Sequence, residues 1–288
     1  MSIAHPGDTL TLADDLTISR MGYGSMQLAG PGVFGPPKDR DEAIAVLREA
    51  VNLGITHIDT SDYYGPYIVN ELIKEALYPY PEGLRIVTKV GAVRGDDGSW
   101  IPDLSRQGLI GAVHSNLKHL GVEALDVVNL RVGGVETPTD DPLGEPFSVV
   151  AELHEEGLVR HLGISNVTTG QLTEAQSIAS VVSVQNLYNL VNRQDDGLVD
   201  RCARESIAFT PFFPLGGFTP LQSDTLHRVA TRLEASSQQV ALAWLLQRSP
   251  TIALIPGTSS VVHLHENVAA ASLELPADAV EELNSIGA

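Results

Sequence analysis

A single cysteine, Cys202, excludes an intramolecular disulfide and fits a reducing compartment such as the cytoplasm. No run of about 18 apolar residues occurs, so no membrane-spanning helix is expected. Met1–Leu12 lacks the basic start and apolar core of a secretory signal. Cations are scarce: 18 Lys and Arg face 36 Asp and Glu, a formal charge of -18. Such a field disfavours nucleic acid and anionic membranes as partners, although a small anion can still bind a local cluster of donors. Ligand spacing for a metal is missing too. His263 and His265 have no third partner, and His114 and His119 stand off helical spacing.

What the chain does have is 288 residues, 43% of them hydrophobic, enough for one large core. Short apolar runs alternate with helical patterns. Strands are expected at Arg20–Gly24, Thr56–Thr60, Arg85–Val90, Asp126–Arg131, Arg160–Ile164, Val181–Gln185, Ile207–Phe212 and Ile252–Ile255. Between them, Ile44, Leu47 and Val51 recur at helical spacing, as do Leu109, Val113, Leu117 and Leu120. Val240, Trp244 and Leu245, flanked by Leu242 and Leu246, mark a third helix. Eight strands alternating with helices predict an α/β fold, a closed (β/α)8 TIM barrel of parallel strands, spanning 1–288 as one domain. Gly22-Tyr23-Gly24 is not completed to GxGxxG and opens no helix, which argues against a Rossmann half. Leu10–Leu12 and Leu16–Ile18 read as an N-terminal β-hairpin capping the barrel. Ala29–Pro37 and Gly133–Pro146 read as long functional loops.

Chemistry concentrates at two predicted strand ends. One strand ends in Asp59, with Tyr64 five residues on; another ends in Lys89. In a barrel these ends meet at one mouth. Reducing a carbonyl by hydride transfer leaves an alkoxide that needs a proton. Tyr64 is the expected donor, Lys89 the cation expected to lower its pKa, and Asp59 the partner that keeps Lys89 charged. Lys89 also leaves a Schiff-base aldolase open.

These motifs, with Gly163-Ile164-Ser165-Asn166, Val184-Gln185-Asn186, Pro214-Leu215-Gly216 and Pro256–Asn267, run in one order along nearly the whole chain, which resembles the aldo-keto reductase family. The resemblance implies NADPH, with NADH possible, and a small-molecule aldehyde as substrate. It places Ser165, Asn166 and Gln185 on the nicotinamide carboxamide and Phe212 on its ring. Met26, Pro214, Leu215 and Gly217 fall along the cofactor. Gly257, Thr258, Ser259, His263, Glu266 and Asn267 match the adenosine and 2′-phosphate end, with Gly257 where lysine is common and His263 where arginine is. Arg131 stands where the family usually has histidine at the fourth strand's end. Arginine cannot exchange a proton but its fork can orient a carbonyl or oxyanion; the alternative is a salt bridge to a loop acid. With Met26–Pro31, Ala76–Tyr80, Val128–Arg131 and Pro211–Leu221, it makes the chain similar to a bacterial subgroup that reduces pyridoxal. Trp100 and Tyr23 are candidates to stack on such a substrate, Trp100 equally one to anchor its loop. The missing histidine leaves a non-catalytic, cofactor-binding regulator open as well.

Overall fold

The computed structural model describes residues 8–134, 137–217 and 221–287, so parts of the expected 133–146 loop and of the 211–221 string lie outside it. Short runs rich in apolar residues form the strands and amphipathic runs the helices. In chain order the elements are β1 (Thr9–Ala13), β2 (Leu16–Ser19), β3 (Tyr23–Gly24), α1 (Arg40–Asn52), β4 (His57–Asp59), α2 (Ile68–Leu77), β5 (Arg85–Val90), β6 (Ala92–Arg94), β7 (Trp100–Pro102) and α3 (Arg106–Leu120). There follow β8 (Leu125–Arg131), α4 (Gly144–Glu155), β9 (Val159–Ser165), α5 (Thr169–Gln176), β10 (Ser183–Gln185), α6 (Asp196–Arg204), β11 (Ala208–Phe209), α7 (Asp224–Arg232), α8 (Ser237–Arg248), α9 (Val261–Ala269) and α10 (Ala277–Asn284).

The main sheet has seven parallel strands in the order β11-β10-β9-β8-β5-β4-β3. Residues 252–257 complete the circle. Ile252 bridges Phe209 on one side, while Leu254 and Gly257 bridge Met21 and Gly24 on the other. The eighth expected strand is therefore present as single bridges, and the barrel closes. Gly24 permits that closure, because a Cβ there would lie 2.4 Å from the Ile255 carbonyl oxygen. The antiparallel β1–β2 hairpin plugs the opposite end: Leu16 and Ile18 pack on Val87, Val127, Val182 and Ala253.

Helix ends follow the local sequence. Ser105 caps α3 by accepting from the Gly108 amide and Gly121 ends it in the left-handed region; Thr168 with Gln171, and Ser236 with Gln239, form capping boxes on α5 and α8. Two helical faces differ from expectation. α1 buries Ala43, Val46, Leu47 and Ala50, with Ile44 and Val51 at the margin, because small residues allow its close approach. Val240 to Leu246 are all buried in α8, since neighbouring helices cover it on several sides. The loop expected to run to Pro146 ends sooner: α4 starts at Gly144, where proline within the first turn costs no hydrogen bond, and Glu174 accepts from the Leu143 and Gly144 amides. The loop carrying Trp100 contains an unexpected hairpin, β6–β7, with Arg94 paired across from Trp100.

Candidate active site

Register places the chemistry. Asp59 pairs alongside Val87 at the C-terminal end of β4, and Lys89 stands one pleat further along β5. Both side chains therefore enter the barrel mouth. Lys89 Nζ donates to Asp59 Oδ1 at 2.5 Å and to the Thr60 carbonyl at 2.9 Å, and lies 5.2 Å from the centre of the Tyr64 ring. Gln185 Nε2 donates to the other Asp59 oxygen at 2.8 Å. All four residues are buried. An ion pair this dry holds together only because its remaining polar sites are occupied, here by Gln185 and Thr60.

Burial pushes the Tyr64 phenol well above its ordinary range; the Asp59 carboxylate pushes the same way, and Arg131 opposes it. This departs from the expected lowering by Lys89. The ammonium is engaged by Asp59, whose own field opposes it at the ring, so burial and Asp59 together outweigh the pull of Arg131. At neutral pH Tyr64 thus carries its proton.

Two cavities meet here. One, of about 320 Å³, is walled by Trp100, Tyr63, Leu104, Arg131 and the Gly133–Gly134 backbone. The other, of about 330 Å³, runs past Gly30–Val33, Pro214, Leu215, Gly217 and Gly257. Met26, Tyr64, Lys89, Gln185, Phe212 and Phe213 line both. Phe212 stands under Arg131, whose guanidinium is 4.8 Å from the ring centre; Arg131 Nη2 donates to the Gly134 carbonyl at 3.1 Å and Nη1 to Ser165 Oγ at 3.4 Å. Gly91 lets β5 pass Arg131: its φ is 112°, and a Cβ would fall 2.3 Å from the Arg131 carbonyl oxygen.

Whether a nicotinamide carboxamide fits can be judged from unpaired atoms. Asn166, held at φ 60°, aims its Nδ2 at the Val132, Gly134 and Thr137 carbonyls, which fixes its amide orientation and leaves Oδ1 buried without a partner. Gln185 spends Nε2 on Asp59, leaving Oε1 in the same state. Two buried acceptors awaiting N–H donors, beside the buried Ser165 hydroxyl, suit a primary amide. The residues fit the group.

Other expected residues land differently. Tyr23 is fully buried, donates to the Thr258 carbonyl at 2.6 Å and lines neither cavity; it braces the 256–260 turn. Thr258, Ser259, His263, Glu266 and Asn267 continue from Gly257 into α9 and line neither cavity; Thr258 and Asn267 are buried, the others exposed. Glu42 Oε1 accepts from the Val261 amide at 3.0 Å, so a carboxylate already occupies the start of α9. Sequence reasoning missed Glu42 and Tyr63. The first needed the packing of α1 on α9; the second had its signal in the Tyr63-Tyr64 pair.

A parallel barrel whose strand ends gather a lysine–carboxylate pair, a tyrosine and two unpaired buried amide oxygens suits an oxidoreductase. The sequence model of the Aldo/keto reductase family matches residues 20–288, and the chain belongs to that family. It is 57% identical over 281 residues to pyridoxine 4-dehydrogenase of Escherichia coli strain K12, covering 97% of this chain and 98% of that one. It is 41% identical over 274 residues to an uncharacterized oxidoreductase of Schizosaccharomyces pombe, covering 95% and 88%. Among solved structures, a thermostable aldo-keto reductase crystallised with epalrestat superposes with a TM-score of 0.80 at 29% identity, covering 99% of each chain. Among the described residues no helix is long and apolar enough to cross a membrane.

Proposed function

We propose that this protein reduces pyridoxal to pyridoxine with NADPH, and that Tyr64 donates the proton. The observation that carries the chemistry is the buried, protonated Tyr64 at the junction of the two cavities, beside the Lys89–Asp59 pair. The bound reduced nicotinamide supplies a hydride. Tyr64 Oη then gives its proton to the alkoxide oxygen, whose negative charge Arg131 and Lys89 stabilise as it develops. Asp59 keeps Lys89 charged and in place. That engagement counts against a Schiff-base aldolase, which needs a neutral amine.

Asn166 Oδ1, Gln185 Oε1 and Ser165 hold the carboxamide, Phe212 backs the ring, and Met26, Pro214, Leu215, Gly217 and Gly257 wall the rest. Thr258, Ser259, His263, Glu266 and Asn267 receive the adenosine and 2′-phosphate. Preference for NADPH rests on the family resemblance, and the Glu42 carboxylate at the start of α9 opposes a phosphate there. The substrate is inferred from the relative that acts on pyridoxine. It suits a cavity of about 320 Å³, small among ligand sites, with Trp100 for the ring and Arg131 for the phenolate oxygen beside the aldehyde. The partner is thus a small aldehyde rather than nucleic acid or membrane, and the compartment the cytoplasm.

NADPH oxidation with pyridoxal, benzaldehyde and an aldose is the test. Pyridoxal should give the highest kcat/KM; equal or better turnover of the aldose would overturn the substrate, and no turnover with any of them the reaction. Fluorescence titration should show tighter binding of NADPH than NADH, and Glu42→Gln should widen the gap.

A further inference from the structure

Arg94 lines neither cavity, yet it touches the segments that wall both. We propose that Arg94 is a positioning residue for Tyr64, a clasp that joins the β6–β7 hairpin to the 30–35 loop and sets the wall on which an aldehyde's ring rests. The proposal takes the reading of Tyr64 given above as its basis.

The guanidinium spans two loops. Nη1 donates to the Val33 carbonyl at 2.8 Å; Nη2 donates to Gly32 at 3.0 Å and to Gly98 at 2.7 Å. Its Cζ lies 3.9 Å from the centre of the Trp100 ring and 5.4 Å from that of Phe34. Among the described residues it forms no ion pair, in a chain with twice as many acids as bases. Carbonyl dipoles and aromatic faces hold the charge instead, an arrangement that requires a planar fork and that lysine cannot reproduce.

Two routes lead from this cation to Tyr64. Along the backbone, the Val33 carbonyl also accepts from the Gly65 amide at 3.2 Å, and the Gly35 amide donates to the Gly65 carbonyl at 2.8 Å. Gly65 is the residue next to Tyr64. Through the side chains, Trp100 meets Tyr63 edge to face at 5.5 Å, and Tyr63 meets Tyr64 in the same way at 5.5 Å. Releasing Arg94 therefore loosens Tyr64 from both sides.

Val33 supplies the independent sign of function. It sits at φ 57°, a region that a β-branched residue enters only under strain. That conformation turns its carbonyl toward both Arg94 and Gly65, and surrounding contacts must hold it there. The same Gly32–Val33 turn walls the second cavity, while Trp100 walls the first. One arginine consequently fixes a wall of each.

The test compares Arg94→Met and Arg94→Lys in the full-length chain by two readouts. Without cofactor, acrylamide quenching of tryptophan fluorescence reports Trp100, because the other tryptophan, Trp244, is buried in the core. Arg94→Met removes the guanidinium stacked on the ring together with its three hydrogen bonds and should about double that quenching, while Arg94→Lys should return it only part of the way. With NADPH, Arg94→Met should lose about 10- to 100-fold in kcat and raise KM for the aldehyde. Arg94→Lys should recover only part of the turnover. Wild-type kcat and KM in a folded Arg94→Met, or a lowered melting temperature with quenching unchanged, would make Arg94 a merely structural residue. If the Met variant does not fold, full turnover in Arg94→Lys overturns the proposal in its place. Benzaldehyde is run beside pyridoxal. A wild-type protein that reduces neither counts against the reading of the site, and the quenching comparison still decides the clasp.

Discussion

Neutralising one half of the Asp59–Lys89 pair should damage stability and chemistry by separable amounts. Both side chains are at most 4% exposed, so Asp59→Asn leaves an ammonium buried without its counter-ion and removes the carboxylate acceptor of Gln185. Breaking a buried pair from one side costs about 3–5 kcal/mol. At about 2 °C per kcal/mol for a domain of this size, the melting temperature should fall by about 6–10 °C. Lys89→Met strands Asp59 instead and should cost a similar amount. The double variant Asp59→Asn/Lys89→Met removes both charges, so its loss should be well below the sum of the two, by at least about 2 kcal/mol. Turnover should not share that recovery: all three variants should lose at least about 100-fold in kcat/KM, because each removes either Lys89 or the carboxylate that keeps it charged and in place beside Tyr64. Urea melts and steady-state assays on the four proteins measure both quantities. Additive stability losses would show that the pair is not coupled. Restored turnover in the double variant would remove Lys89 from the mechanism.

Tyr64→Phe keeps the ring and deletes the acid, so turnover should fall at least about 100-fold with cofactor affinity unchanged; near-normal turnover would point to another proton donor. For Arg131, the ratio of kcat/KM for pyridoxal to that for benzaldehyde should drop in Arg131→Ala, recover partly in Arg131→Lys, and stay low in Arg131→His, which restores the common family residue. A ratio unchanged across the three would mean that Arg131 does not read the substrate. His57 is fully buried and its pKa is pushed down to about 4, chiefly by burial. The unfolded chain takes up the proton first, so this contribution is complete above an unfolded pKa of about 6.5 and is lost as pH falls toward the folded value; between pH 7 and pH 5 that amounts to about 2 kcal/mol. Unfolding free energies of wild type and His57→Gln measured across that interval should differ in slope accordingly, and parallel curves would refute it.

The barrel was legible in the sequence because its signals are local. Eight apolar runs separated by helical periods leave few ways to bury both faces of a parallel sheet, and strand ends such as Asp59 and Lys89 can reach only one mouth. Capping residues such as Ser105 and Thr168 likewise mark their helices through neighbours three residues away. Long-range geometry decided the rest. Tyr23 has the residue type of a stacking group, but its strand turns it toward the Thr258 carbonyl, and it lines neither cavity. Tyr64 owes its raised pKa to burial and to the field of Asp59, with Arg131 opposing; Lys89 is already engaged by Asp59, which no pairwise spacing reveals. Arg94 reads as an ordinary loop charge until the fold brings the Gly32, Val33 and Gly98 carbonyls around it. Sequence thus determined which groups stand at the mouth, because strand periodicity is set between neighbours. Tertiary structure alone decided their protonation and their bracing, because desolvation and hydrogen bonding depend on residues far apart in the chain.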